Sequence, residues 1–504
     1  MRAHTLIAAL SLAAFLASPA AAQDKQVTST TEKKVDDSIQ FPPLPADKSV
    51  RQSARIGGRL IAYDATVGTI SVRDEKGKEI GQVVYTAYTV PGADYRRPVT
   101  FAFNGGPGAS SVYLNLGAIG PKHVQFGAQG DAPSDQPIAG DNQNSWLDFT
   151  DLVFIDPIGT GFSRSLVDEA TTKKSFYAND PDIKYLSKIV YDWLVKAGRL
   201  RSPKYLVGES YGGYRVPRIA YELQSQIGVG ISGLIMVSPY LDPASGDDAT
   251  ALSPLPWMVD LPSMAAAHLE REHRLTPEAM AEVQSYTRGE FATDLLRGRA
   301  DQAAVARLVR RVSDLTGLDP VVVQRLGGRV DTGTYLREVH RADSTIGSVY
   351  DSNVTAFDPF PWSAQRRSND PILDALIAPT TSAMVDFVTR EVGWKTEARY
   401  NALSFAVNAA WERGRPEDTP VQDLRKAIAI DPRMAVMIAH GWDDLSCPFF
   451  GSQLIVDQLP AFGAAERVKL RVYPGGHMFY SRSDSGARFK EDARAVYAGA
   501  GNAG

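Results

Sequence analysis

Tyr205-Leu206-Val207-Gly208-Glu209-Ser210-Tyr211-Gly212-Gly213 decides the reading of this 504-residue chain. An apolar run, Tyr205 to Val207, leads into the pattern G-x-S-x-G, and a helical stretch through Ile219 and Leu223 follows. A strand that turns sharply into a helix pushes the residue at the turn out of the sheet, and its neighbours must be small for the chain to turn there. Ser210 is therefore the candidate nucleophile, and the N–H of Tyr211 points to where an oxyanion would form. Glycines by themselves would justify only an ordinary turn; the strand before and the helix after carry the reading.

A serine hydroxyl needs a base to take its proton, and the base needs an orienting acid. After such an elbow the chain order is serine, acid, histidine. Of the seven histidines, His4 and His123 precede Ser210, and His268, His273 and His340 fall in a long helical insertion. His440 and His477 remain. His477 sits in Tyr473-Pro474-Gly475-Gly476-His477-Met478, a loop past the last strand-like run, where the glycines let it fold back over the nucleophile. His440 ends a strand and reads as a packing or turn residue. Asp444 follows that strand and is preferred as the acid for its His-Gly-x-x-Asp spacing, common at this place in α/β-hydrolases; its neighbour Asp443 is the rival.

Other short apolar runs, Val99 to Phe103, Leu152 to Ile155, Leu234 to Val237, Ala435 to Ala439 and Val468 to Val472, read as buried strands. An amphipathic helix through Ile183, Leu186, Ile189, Val190, Trp193 and Leu194 lies between two of them, with Asp180-Pro181 at its start. The alternation predicts an α/β fold, a mostly parallel central sheet with helices on both faces. Before it, Arg59 to Val90 alternates apolar and polar residues about a turn at Glu75-Lys76-Gly77-Lys78, which predicts antiparallel strands. The core is expected over 55–242 and 421–504. The stretch 243–420, helical in pattern and Arg-rich, is expected to be a cap over the strand ends. Asn104-Gly105-Gly106-Pro107-Gly108, directly after a strand, is a candidate oxyanion loop.

The ends and the composition bound the rest. Residues 1–22, with Met1-Arg2, an apolar run from Leu6 to Leu16 and Ala20-Ala21-Ala22, read as a signal peptide cut before Gln23. No other apolar stretch looks long enough to cross a bilayer, so no membrane association is expected after cleavage. Residues 23–54 read as a polar arm. Net charge is −4, which gives no reason to expect nucleic acid. Cys447 is the one cysteine, so no internal disulfide can form; export without one suits a periplasm, and Cys447 reads as a small buried packing residue. His268 and His273 do not match H-E-x-x-H, and neither a Walker loop nor a dinucleotide fingerprint is visible, so no metal or cofactor is expected.

Together the segments resemble the serine carboxypeptidase family. Asn104 to Gly108 with Ser110-Ser111 is similar to its N-G-G-P-G-x-S-S loop, and Gly208 to Gly213 to its nucleophile motif. Asn142, Ser145 and Trp146 match N-x-x-S-W; Pro157 with Gly159 to Ser163 match P-x-G-x-G-F-S; Asp444 and Cys447 match D-x-x-C; Gly476-His477-Met478 match G-H-M. The resemblance implies an α/β-hydrolase fold and hydrolysis of peptide C-termini. It implies a Ser210, Asp444 and His477 triad, an oxyanion hole from the N–H groups of Gly106 and Tyr211, and a substrate-carboxylate site from Asn104, Gly105 and Glu209. Ala118 stands where known members carry a second glutamate that shares a proton with the first. The expectation is that peptide hydrolysis needs acid conditions unless burial alone raises the pKa of Glu209. Rival readings are an aminopeptidase, an esterase or acyltransferase on the same fold, and a non-catalytic binding protein. Trp146, Tyr214, Tyr240, Trp362 and Trp442 are candidates to line the substrate pockets; oligomeric state is open.

Overall fold

A computed structural model describes residues 41–125, 139–241, 253–363, 370–415, 419–462 and 467–501. The signal-peptide reading of 1–22 lies outside them.

The central sheet runs in the order β1-β2-β3-β5-β4-β6-β7-β8-β9. Its strands are β1 (Lys48–Ile56), β2 (Arg59–Arg73), β3 (Glu79–Thr89), β4 (Val99–Phe103), β5 (Asp151–Ile155), β6 (Lys204–Glu209), β7 (Gly233–Val237), β8 (Ala435–Gly441) and β9 (Val468–Tyr473). A two-residue strand, Arg164–Ser165, also pairs with β3. β1 to β3 form an antiparallel meander, and β3 meets β5 antiparallel. From β5 to β9 every pairing is parallel.

Parallel strands covered on both faces must be apolar throughout, and the packing shows why β4 to β8 do not alternate. Ala102, Phe154, Val207, Ile235 and Met437 enter one core cluster. Their neighbours Phe101, Val153, Leu206, Leu234 and Val436 enter the other. The helices Asn179–Lys196, Tyr211–Glu222 and Val421–Ile430 contribute to the second face. Helices Pro371–Asp386 and Ser483–Gly501 contribute to the first.

Three expectations change. Residues 48–54, assigned to the polar arm, belong to β1. The inward positions of that strand run Val50, Gln52, Ala54, Ile56, and the polar Gln52, whose amide oxygen accepts from the Tyr63 hydroxyl at 3.0 Å, hides the period of two. The insertion is also not one body of packing. Its earlier part, including Trp257, Leu261, Leu308 and Val312, has its own cluster, into which Leu445, Phe449 and Phe450 of the core project. Its later part, from Ile372 to Ala402, packs into the sheet's first face. Finally, the segment Pro371–Glu391 is long and apolar enough to cross a bilayer, which the sequence reading passed over. Ile372, Leu376, Ala383, Met384, Phe387 and Val388 are buried in the core, so it serves here as an interior helix.

Candidate active site

Ser210 sits between the end of β6 and the helix Tyr211–Glu222, at φ 60° and ψ −122°. Backbone bonds hold this turn. The Ser210 N–H donates to the Val237 carbonyl at 2.9 Å, and its own carbonyl accepts from Gly213 at 2.8 Å and Tyr240 at 3.1 Å. A Cβ at Gly208 would strike the Gly212 carbonyl, so the small residues of the motif are a steric requirement of the turn. A left-handed non-glycine residue costs on the order of 1–3 kcal/mol, a strain typical of functional turns.

Asp444 and His477 come together as predicted. The His477 Nδ1 lies 2.8 Å from Asp444 Oδ2. Asp444 Oδ1 accepts from the N–H groups of Ser446 and Cys447 at 2.8 and 2.9 Å, so one oxygen is fixed by the backbone and the other faces the imidazole. The histidine loop is pinned from two sides. The Ser238 hydroxyl donates to the His477 carbonyl at 2.8 Å, and the His477 N–H donates to the Tyr350 carbonyl at 2.5 Å. Burial works against the imidazolium, but the Asp444 carboxylate, with Glu209 behind it, raises the His477 pKa above its ordinary value. His440 is packed in the interior with Nε2 2.8 Å from the Ser452 hydroxyl, and burial lowers its pKa to about 3. Asp443 turns away from the histidine, toward Arg482.

Asn104, Gly105, Gly106, Glu209, Ser210, Tyr211 and His477 all line one cleft of about 1010 Å³. A Cβ on Gly105 would meet the Tyr211 nitrogen and the Ser210 Cβ, so the glycine loop lies directly against the elbow. Asn104 is locked in orientation: its Oδ1 accepts from the Leu114 N–H at 2.9 Å, and its Nδ2 donates to Glu209 Oε2 at 2.8 Å. The Tyr480 hydroxyl donates to the same Oε2 at 2.8 Å. Burial, partly offset by His477, Tyr480 and Asn104, leaves the Glu209 carboxyl above its ordinary range. Burial thus favours the protonated form of Glu209, and Ala118 is buried in the core.

Sequence reasoning missed several members. Tyr480 lies three residues past His477, a signal that a G-H-M-x-Y reading would have caught. Arg215, fully buried, pairs with Asp182 at 2.6 Å and donates to the Asn104 carbonyl at 2.8 Å; nothing local in sequence links 104, 182 and 215. Of the five aromatic wall candidates, only Tyr240 lines the cleft. Trp146 and Tyr214 are buried in core clusters, Trp442 packs on Phe449, and Trp362 is exposed. The remaining motifs build the scaffold. Asn142 Nδ2 donates to the carbonyls of Ala118 and Gly120, and Ser145 to that of Ile119, which fixes the turn after the glycine loop. Ser163 bridges the Val84 N–H and the Asp156 carbonyl.

Residues 64–288 match the serine carboxypeptidase family. That stretch contains the glycine loop and the nucleophile elbow; Asp444 and His477 lie beyond it. Similar relatives include the pheromone-processing carboxypeptidase KEX1 of Yarrowia lipolytica, 32% identical over 151 residues, which are 30% of this chain and 23% of that protein. The vitellogenic carboxypeptidase of Aedes aegypti is 29% identical over 150 residues, 29% of each chain. The chain thus spans less than a third of the length of these curated relatives. A crystal structure of a prohormone-processing carboxypeptidase from Saccharomyces cerevisiae matches with a TM-score of 0.55 at 16% identity, covering 86% of this chain and 91% of that one. The fold is that of an α/β-hydrolase.

Proposed function

We propose that this chain is a serine-type carboxypeptidase that removes the C-terminal residue of peptides. Ser210 Oγ attacks the carbonyl of the last peptide bond while its proton passes to His477 Nε2. The N–H groups of Gly106 and Tyr211 receive the developing oxyanion. His477 then protonates the leaving amine, the C–N bond breaks, and an acyl group remains on Ser210 until water, activated by the same histidine, releases it. Asp444 holds the imidazole in its tautomer. Asn104, the Gly105 N–H and Glu209 take the substrate's terminal carboxylate.

One observation carries the exopeptidase reading. A buried carboxyl, next in chain to the nucleophile, has both its donors, Asn104 and Tyr480, on Oε2. Oε1 is then left to carry a proton and donate to a second carboxylate. An aminopeptidase would want Glu209 ionised to meet an amine, and burial opposes that. The family match over the elbow and glycine loop supports the same choice. We also propose that the protein is exported, to a bacterial periplasm or the medium, because residues 1–22 carry a leader-like pattern and the single Cys447 is buried.

Mass spectrometry on three versions of one peptide tests the activity. One version is free at both ends, one C-terminally amidated, and one N-terminally acetylated. The expected result is stepwise loss from the C-terminus, slowed by amidation and absent in Ser210→Ala. Loss from the N-terminus, blocked by acetylation, would overturn the roles of Asn104 and Glu209.

A further inference from the structure

Arg413 lines the cleft that holds Ser210, and none of the roles above uses it. Glu209 is kept toward its neutral form by burial. The Cys447 thiol, in contact with Ser210, is pushed well above its ordinary pKa by burial and then by Asp444, so it too is neutral. His477 must be neutral to act as base. Arginine keeps its charge throughout the accessible pH range, so among the described residues Arg413 is the one fixed charge lining the working cleft.

Its placement is built. The Arg413 Nη2 donates to Asn408 Oδ1 at 3.2 Å, and Asn408 Nδ2 donates to the Pro107 carbonyl of the glycine loop at 3.0 Å. The Arg413 carbonyl accepts from Asn179 Nδ2 at 2.6 Å, and Asn179 Oδ1 accepts from the Tyr211 hydroxyl. Head and backbone are therefore each tied to a wall of the nucleophile site. Among the described residues no carboxylate pairs with it, and the side chain is exposed.

The cleft has two ends. At one, Tyr113, Tyr350 and Met478 lead into an apolar cavity that Tyr480, the partner of Glu209, also lines. That end lies on the carboxylate side. At the other, Tyr240, Ser446 and Cys447 lead into a different cavity, and Tyr240 packs on the cluster of Tyr211, Tyr214 and Trp411 that precedes Arg413 in chain. A peptide with its C-terminus at the first end extends its acyl half toward the second. Resting on the carboxypeptidase reading, we infer that Arg413 is a specificity-determining residue. It receives an acidic side chain, Glu or Asp, on the penultimate substrate residue through its guanidinium N–H groups.

The test uses N-acetyl-Glu-Leu and N-acetyl-Gln-Leu, which differ only in charge at the penultimate position. Wild type is expected to favour the Glu peptide by at least about tenfold in kcat/KM, and Arg413→Met to bring the ratio to within about twofold. Arg413→Glu should reverse the preference toward N-acetyl-Lys-Leu. Calorimetric binding of the same peptides to the Ser210→Ala protein reads the ratio without turnover, so it still decides if the activity assignment itself fails. Equal handling of Glu and Gln by wild type in both measurements overturns the inference. So does a parallel loss of both peptides in Arg413→Met, which would place the arginine on the terminal carboxylate that both share.

Discussion

Glu209 and His477 lean on each other's charge. Each stabilises the other's ionised form, so the two titrate as a pair. Between its two proton losses the pair holds one proton. The productive arrangement puts it on Glu209, where it can donate to the substrate carboxylate, and leaves His477 neutral as the base. Activity on free peptides should therefore rise as the pair loses its first proton and fall as it loses the second. In Glu209→Gln the amide donates at every pH, so the falling limb should move to higher pH for free peptides. C-terminally amidated peptides should show little change. A kcat/KM profile from acid to alkaline pH checks this; an equally steep fall in the variant would contradict it. Replacing Ser210 with alanine should lower kcat by on the order of 10⁴–10⁶, read by quantitative mass spectrometry of peptide loss.

The elbow is an element whose strain and function are one feature. Serine at φ 60° is tolerated because β6, β7 and the following helix over-determine it. Ser210→Gly should then be more stable than Ser210→Ala by about 1 kcal/mol, since glycine adopts positive φ without a Cβ clash. Chemical denaturation of the two inactive variants measures the difference. The elements were also where the sequence spoke most clearly. Apolar runs flanked by turns marked β4 to β8, because burial on both faces leaves no polar alternation to confuse; the edge strand β9 alternates, with Lys469 and Arg471 exposed. The first strand escaped notice because Gln52 faces inward. Ser210, Asp444 and His477 were legible because chain order and local spacing are properties of one dimension. Tyr480 was local to His477 but passed over, whereas Arg215 and Arg413 were not legible, since only folding brings Asn104 and Asp182 to the first and the second to the cleft.

Across the whole molecule, the insertion and the core are joined by a largely buried charge cluster. Arg482 pairs with Glu270 at 2.5 Å and Asp351 at 2.8 Å, both from the insertion, and lies 3.6 Å from Asp443 of the core. Three carboxyls around one guanidinium cannot all ionise comfortably. Burial and its acidic neighbours push Asp443 well up, and burial raises Asp351 as well. Glu270, which partial burial alone would push up, is pulled down to about 2 by its bond with Asp443 and by Arg482. The signs therefore oppose. Asp351 and Asp443 contribute stability that is present below their ordinary pKa and fades as pH rises. Glu270 contributes stability above its ordinary pKa that is lost as pH falls toward 2. Removing the guanidinium leaves the buried carboxyls unpaired. Arg482→Met should cost about 3–5 kcal/mol at neutral pH and less near pH 4, where acid neutralises them. Unfolding of the variant and wild type at the two pH values checks this, and an equal cost at both would contradict it.

On the proposed function, the site recognises a free C-terminal carboxylate beside Ser210. The most direct test is the kcat/KM of one N-acylated dipeptide as the free acid and as the amide, in wild type and in the Asn104→Ala, Glu209→Ala double variant. Each charge-assisted hydrogen bond is worth about 1.5–3 kcal/mol. The expected result is at least a roughly hundredfold preference of wild type for the acid, collapsing toward unity in the variant through loss of the acid's hydrolysis alone. A wild-type ratio near one, or a preference that survives the double substitution, would contradict it.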